Sequence, residues 1–133
     1  MVSNAQFYEF VLEHGYENQD FWSEEGWKWA SGTKSKWPKF WVNRSDNQTL
    51  ESSNFTLRLT LSETESLPWD FPVEINCFEA NAYCRWLSRK LGKAIRLPTE
   101  DEFYATLKHI EYDNKTNVNV GLVHSSPSPV DSY

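Results

Sequence analysis

The stretch NAYCRWLSRKLGKAIRLPTEDEF, residues 81–103, decides the fold, because it runs a helix, a short extended segment and a second capped helix together without slack. Just upstream, Asn76 is placed to cap a helix over about 79–91, with Glu79 in its first turn and Arg85, Arg89 and Lys90 in later turns, as the helix dipole favours. Ala80, Tyr83, Cys84, Leu87 and Leu91 recur at helical spacing, which predicts that this stripe faces a core. Gly92 supplies the left-handed residue that ends the helix. Residues 94–97 read as a short extended segment, since Pro98 disfavours a helical Leu97. Thr99 with Glu102 three positions on is a capping box, opening a helix over 100–110 that is expected to bury Phe103, Leu107 and Ile110.

Working outward, Ser3 is placed to cap a helix over 4–14 whose Phe7, Phe10 and Val11 face inward and which Gly15 terminates. Ser23-Glu24-Glu25 reads as a second helix start. Pro38 interrupts next, and Phe40-Trp41-Val42 reads as a short strand, followed by a polar loop over 43–54. Residues 55–61 alternate, with Phe55, Leu57, Leu59 and Leu61 on one face and Thr56, Arg58 and Thr60 on the other, and so predict a strand. After an acidic loop at 63–66, Pro68 and Pro72 bracket Trp69 and Phe71 and fix an extended approach to the 79–91 helix. From Tyr112 onward Asn, Ser and Pro predict loop, with a short strand at 118–123.

Composition bounds the function. At 133 residues the chain fits one domain at most, and 16% aromatic residues with seven Trp argue for a folded, loop-rich unit. A net charge of −6 and a pI near 5.0 disfavour nucleic acid as a partner. No apolar run approaches membrane-spanning length, and the amino terminus lacks a basic region followed by an apolar core, so a cytoplasmic protein is expected. Sequons at Asn43, Asn47, Asn54 and Asn114 read as chance products of Asn-rich loops. Lys34, Lys36 and Lys39, alternating with Trp37 and Phe40, read as a solvated loop with snorkelling lysines.

The chemistry-bearing residues are sparse. Cys77 and Cys84 are too few for a disulfide framework, and if both were helical their Cα atoms would lie about 10 Å apart, beyond disulfide reach. Cys84 reads as a buried small apolar residue and Cys77 as a strand-end thiol; two cysteines alone make an incomplete metal site. His14, His109 and His124 fall on two different predicted helices and a loop, without the pairing that gathers metal ligands. Glu24, Glu25, Glu63, Glu65, Asp101 and Glu102 are accounted for by capping and solvated loops. No catalytic, cofactor-binding or metal-binding residue is assigned from the sequence.

The 81–103 run, with its Ala-Tyr-Cys-Arg-Trp helix, Gly-Lys turn and Arg-Leu-Pro-Thr-Glu-x-Glu-aromatic corner, resembles the core of the formylglycine-generating-enzyme, or sulfatase-modifying-factor, domain. That resemblance implies a loop-rich α+β fold related to C-type lectins. Ser3-Asn4-Ala5-Gln6-Phe7, Gly15-Tyr16-Glu17-Asn18, Trp22-Ser23-Glu24-Glu25-Gly26-Trp27-Lys28-Trp29 and Pro38-Lys39-Phe40-Trp41-Val42 resemble the entry to this domain in the ergothioneine and ovothiol sulfoxide synthases. Residues 68–76, with Asn117-Val118-Asn119-Val120, Ser125-Ser126 and Pro129-Val130-Asp131, are more similar to the ovothiol enzyme, 5-histidylcysteine sulfoxide synthase.

The resemblance implies a mononuclear non-haem iron enzyme that uses dioxygen to join cysteine sulfur to the imidazole of histidine as a sulfoxide. Three imidazoles with open positions suit Fe(II) dioxygen chemistry. In that family they belong to an amino-terminal helical bundle, and a methyltransferase domain often follows. On this reading the 133 residues are a partial domain, ending before a Gly-Asn-Val-Trp-Glu-Trp-like segment; they contribute substrate-pocket scaffold, hold no Fe(II) ligand and are inactive alone. Cys77, Phe103 and Ser128 depart from the family pattern, where an aromatic, Trp and Cys are usual. Two alternatives are a copper-dependent formylglycine-generating oxidase acting on a sulfatase cysteine, and a non-catalytic lectin-like binding module, since fold alone does not settle function.

Overall fold

The Ser3 hydroxyl accepts the Gln6 amide at 3.3 Å while the Gln6 side chain accepts the Ser3 amide at 2.9 Å. This capping box starts α1, Asn4–Leu12. The computed structural model describes residues 1–59, 62–107 and 127–132. In these, α1 is followed by α2 (Glu24–Thr33), the short strands β1 (Trp41–Asn43) and β2 (Phe55–Leu57), α3 (Cys77–Leu91) and α4 (Glu100–Leu107), with single 3-10 turns at Gln19–Phe21 and Ser52–Asn54. The mixture of helices with a small antiparallel sheet is α+β. The predicted strand at 118–123 lies outside the described residues.

Helix α1 buries Phe7, Phe10 and Val11, as its spacing predicts, and also Asn4. Asn4 is satisfied on both sides of its amide: Nδ2 donates to the Pro68 carbonyl at 2.8 Å, and Oδ1 accepts from the Trp41 indole at 3.1 Å. The first amides of α1 have no partner inside the helix. Asn4 and Ala5 N–H instead donate to the Phe71 and Trp69 carbonyls, at 2.8 and 2.9 Å, so the proline-bracketed segment lies against the start of α1. The helix ends differently from expectation. His14, not Gly15, takes the left-handed conformation, with φ of 56°. Gly15 is needed for clearance, because a Cβ there would sit 2.2 Å from the Phe10 ring.

Strands β1 and β2 pair antiparallel, with Trp41 opposite Leu57 and Asn43 opposite Phe55. The predicted strand at 55–61 is cut to three residues, all buried. Alternation fails at Thr56, which is 2% exposed, because its hydroxyl donates to the Glu63 carboxylate and so carries a polar group inward without cost. The chain then doubles back: Arg58 bridges Glu63, and Thr64 N–H donates to the Leu57 carbonyl at 2.9 Å. Thr60 and Leu61 lie outside the described residues.

Helix α3 has the predicted caps. Asn76 and Glu79 form a reciprocal capping box, and Gly92 is left-handed with φ of 63°. Cys77 is the first helical residue and exposed, so it is not the strand-end thiol expected; Cys84 is buried. The buried face agrees with the predicted stripe at Tyr83 and Cys84 and departs from it at Leu91. Glu79, Ala82, Tyr83, Cys84 and Trp86 are buried, Ala80 and Leu87 are half-buried, and Leu91 is 55% exposed. Tyr83 stacks on Phe7 with centroids 5.3 Å apart, and Trp86 meets Phe10 edge-on at 5.7 Å. Extending the face to Ala82 and Trp86 instead of Leu91 buries an indole, which removes more apolar surface than a leucine would.

The Thr99 capping box forms as predicted: Thr99 N–H donates to Glu102 at 2.8 Å and the Thr99 hydroxyl accepts the Glu102 amide at 3.3 Å. The expected burial does not follow. No residue of α4 is buried, Phe103 is 53% exposed and Leu107 is half-buried. Among the described residues nothing covers that face; Ile110 lies outside them. Residues 94–97 pair with no strand among the described residues and are held by Ser88, whose hydroxyl accepts Ile95 N–H at 2.9 Å and donates to its carbonyl at 3.0 Å.

Candidate functional site

The close crossing at Gly15 carries the chain directly into Tyr16, whose buried ring packs against Phe7, Phe10 and Trp22. Its hydroxyl donates to Glu79 Oε1 at 2.5 Å, across 63 residues of sequence. The other Glu79 oxygen accepts the Asn76 amide at 2.9 Å. Glu79 is 3% exposed, and burial pushes its carboxyl up, while the Tyr16 and Asn76 bonds pull it back. Burial beside this carboxylate also pushes the Tyr16 phenol well above its ordinary value. A raised carboxyl inside a fold is a flag for proton chemistry. Here both oxygens are engaged, and Glu79 serves as a strut joining the turn after α1 to the start of α3. Trp22 reinforces the turn by donating its indole N–H to the Gly15 carbonyl at 2.9 Å.

A second polar centre lies at the Leu-Pro-Thr-Glu corner. Arg96 forks onto Glu102 with two bonds, of 2.8 and 2.7 Å, and its guanidinium also donates to the Leu97 carbonyl at 3.0 Å. The Arg96 bonds, followed by the Thr99 amide, hold the Glu102 carboxyl down to about 2. An open depression beside this pair is walled by Ile95, Pro98, Ala105 and Thr106. Bidentate pairing leaves Arg96 oriented and its carboxylate partner fully ionised. The corner is therefore a rigid charged edge on an otherwise uncovered face.

The remaining candidate residues do not converge. His14 is exposed at the end of α1, its Nδ1 3.3 Å from Glu17 Oε2; His109 and His124 lie outside the described residues. Both cysteines are free, and burial pushes the Cys84 thiol up. Glu24 pairs with Lys28 at 2.8 Å, and Glu63 with Arg44 at 2.8 Å. Among the described residues no three His, Cys, Asp or Glu side chains gather to hold a metal ion. They do not fit a three-imidazole iron centre, so no chemical step falls to iron on these residues. No helix among them is long and apolar enough to cross a membrane. Sequence reasoning missed the Tyr16–Glu79 and Thr56–Glu63 bonds. For the first, the only local signal was Glu79 at the third helical position, which indicates a cap and says nothing of a distant phenol.

Residues 1–117 match the sulfatase-modifying factor enzyme 1-like domain. The chain is 30% identical to hercynine oxygenase of Mycobacterium tuberculosis over 133 residues, covering 99% of this chain and 27% of that protein. It is 32% identical to hercynine oxygenase of Mycolicibacterium smegmatis over 103 residues, covering 77% of this chain and 20% of that protein. The chain thus spans about a quarter or less of the length of these curated relatives.

Proposed function

The chain belongs to the sulfatase-modifying factor enzyme 1-like domain family, and from that membership we propose that it is part of a non-haem iron, dioxygen-dependent oxidoreductase that joins a thiol sulfur to a histidine-type imidazole as a sulfoxide. The observation that carries this reading is the identity of 30% across nearly the whole chain to a relative named hercynine oxygenase. Within that class we favour the ovothiol-type reaction of 5-histidylcysteine sulfoxide synthase, with cysteine and histidine as substrates. Support comes from the 68–76 segment, which resembles the ovothiol enzyme and whose carbonyls anchor the start of α1.

In this proposal the described residues are scaffold. Their buried side-chain polar atoms all have hydrogen-bond partners, which suits a structural role. They position the Arg96–Glu102 edge and the uncovered α4 face as part of the wall of a pocket completed elsewhere. The Fe(II) ligands are proposed to be histidines of a helical-bundle domain of the full-length protein, with a methyltransferase domain as a further expected part. The complete domain is proposed to take a C-type-lectin-like fold, in a cytoplasmic protein without nucleic-acid or membrane partners.

The test is oxygen uptake by the full-length protein with Fe(II), supplied with cysteine plus histidine, cysteine plus hercynine, or a cysteine-containing sulfatase peptide with copper. Uptake that requires both cysteine and histidine, with a sulfoxide product by mass spectrometry, is expected. Preference for hercynine moves the substrate to that of the named relatives. Oxidation of the peptide without any imidazole-dependent product overturns the proposal.

A further inference from the structure

Two adjoining clefts, of about 190 and 260 Å³, share Lys36 and Gln48 as their common wall. Lys34 and Lys39 line the larger one beside Trp37. The chain has 19 acidic residues against 13 basic ones. Among the described residues Lys28, Arg44, Arg89, Lys90 and Arg96 each have a carboxylate within ion-pair distance, while Arg58, Arg85 and Lys93, on separate parts of the fold, have none. Lys34, Lys36 and Lys39 have none within ion-pair distance among the described residues, although they sit together around one cleft. The one carboxylate on the cleft walls, Glu17, is engaged by His14 at 3.3 Å.

Lys36 is also oriented, and the Lys39 ammonium lies 5.8 Å from the centre of the Phe40 ring. Lys36 Nζ donates to Gln48 Oε1 at 3.1 Å, and Gln48 takes the left-handed conformation, φ 51°; Lys34, φ 54°, does so as the residue that caps the end of α2. Both clefts fall below the ~300 Å³ at which drug-sized ligand pockets begin, so they suit a small molecule. We propose that this groove binds a small polyvalent anion, a phosphate or a di- or tricarboxylate, between Lys34, Lys36 and Lys39, with the Gln48 amide fixing Lys36. The site concentrates positive charge locally on a chain that is negative as a whole, which is how a small anion is drawn to one place.

Lysine acetylation of the full-length protein, read residue by residue by mass spectrometry, tests this. Inorganic phosphate, citrate or acetate is added at constant ionic strength. Acetylation of Lys34, Lys36 and Lys39 should slow about threefold or more with phosphate or citrate, as two-thirds occupancy requires, while exposed Lys93 is unaffected. Slowing confined to one of the two identifies the anion class. Lys36→Gln should abolish protection of Lys34 and Lys39, and Gln48→Ala should weaken it, each with an unchanged thermal midpoint. No slowing, equal slowing at Lys93, equal protection by acetate, or full protection retained in both variants overturns the proposal.

Discussion

Replacing Tyr16 with Phe removes one oxygen from the strut between the turn after α1 and the start of α3. The lost bond runs from a buried hydroxyl to a carboxylate at 2.5 Å, and hydrogen bonds to charged groups contribute about 1.5–3 kcal/mol. The ring itself keeps its packing, so the expected loss is about 2–3 kcal/mol, concentrated in Glu79, which is left with the Asn76 amide as partner. The loss should depend on pH. Burial already raises the Glu79 carboxyl above its unfolded value, and removing the phenol bond raises it further. A carboxyl with a raised folded-state pKa contributes stability that is fully present below the unfolded value of about 4.3 and is lost as pH rises through the folded value. Tyr16→Phe should therefore cost more at pH 8 than at pH 5. Glu79→Gln, which keeps the shape and removes the charge, should flatten that dependence. Urea denaturation followed by near-ultraviolet circular dichroism of the aromatic cluster reads both effects. A Tyr16→Phe loss under about 0.5 kcal/mol, the range of ordinary surface changes, or one independent of pH, refutes the strut.

Gly15→Ala places a Cβ against the Phe10 ring and should destabilise by about 1–3 kcal/mol through overpacking, measured in the same denaturation experiment. Trp86→Ala should cost about 3–5 kcal/mol, as other buried tryptophans do, whereas Leu91→Ala should stay within about 0.5 kcal/mol; equal losses would mean that α3 buries its leucine stripe after all. The Glu102 carboxyl should titrate at about 2 by carbon NMR, and Arg96→Ala should move it up toward the ordinary range. Since that pKa is depressed, the contribution of the Arg96–Glu102 pair is present above about 4.3 and lost as pH falls through the folded value. Thr99→Ala should fray the start of α4 at a cost of about 1 kcal/mol, read by amide hydrogen exchange of its first turn.

The helix starts at Ser3, Ser23, Asn76 and Thr99 were legible in the sequence because a cap is made by residues within three positions of one another. Gly92 was legible for the same reason, and the α+β class from the family resemblance. What a helix buries is not local. Periodicity placed Tyr83 and Cys84 on the buried side of α3, but Phe7 and Phe10, far earlier in the chain, drew Trp86 inward and left Leu91 outside. Thr56 reads as outward-facing until the chain doubles back and brings Glu63 to its hydroxyl. The same limit applies to the site. Glu79 is recognisable as a cap from its neighbours, but its burial and its bond to Tyr16 exist only because α1 and α3 pack together. Hydrogen-bond caps are satisfied within one turn of chain, so the sequence by itself determines them; buried faces and buried charges are settled by partners distant in sequence, which only the tertiary structure brings within reach.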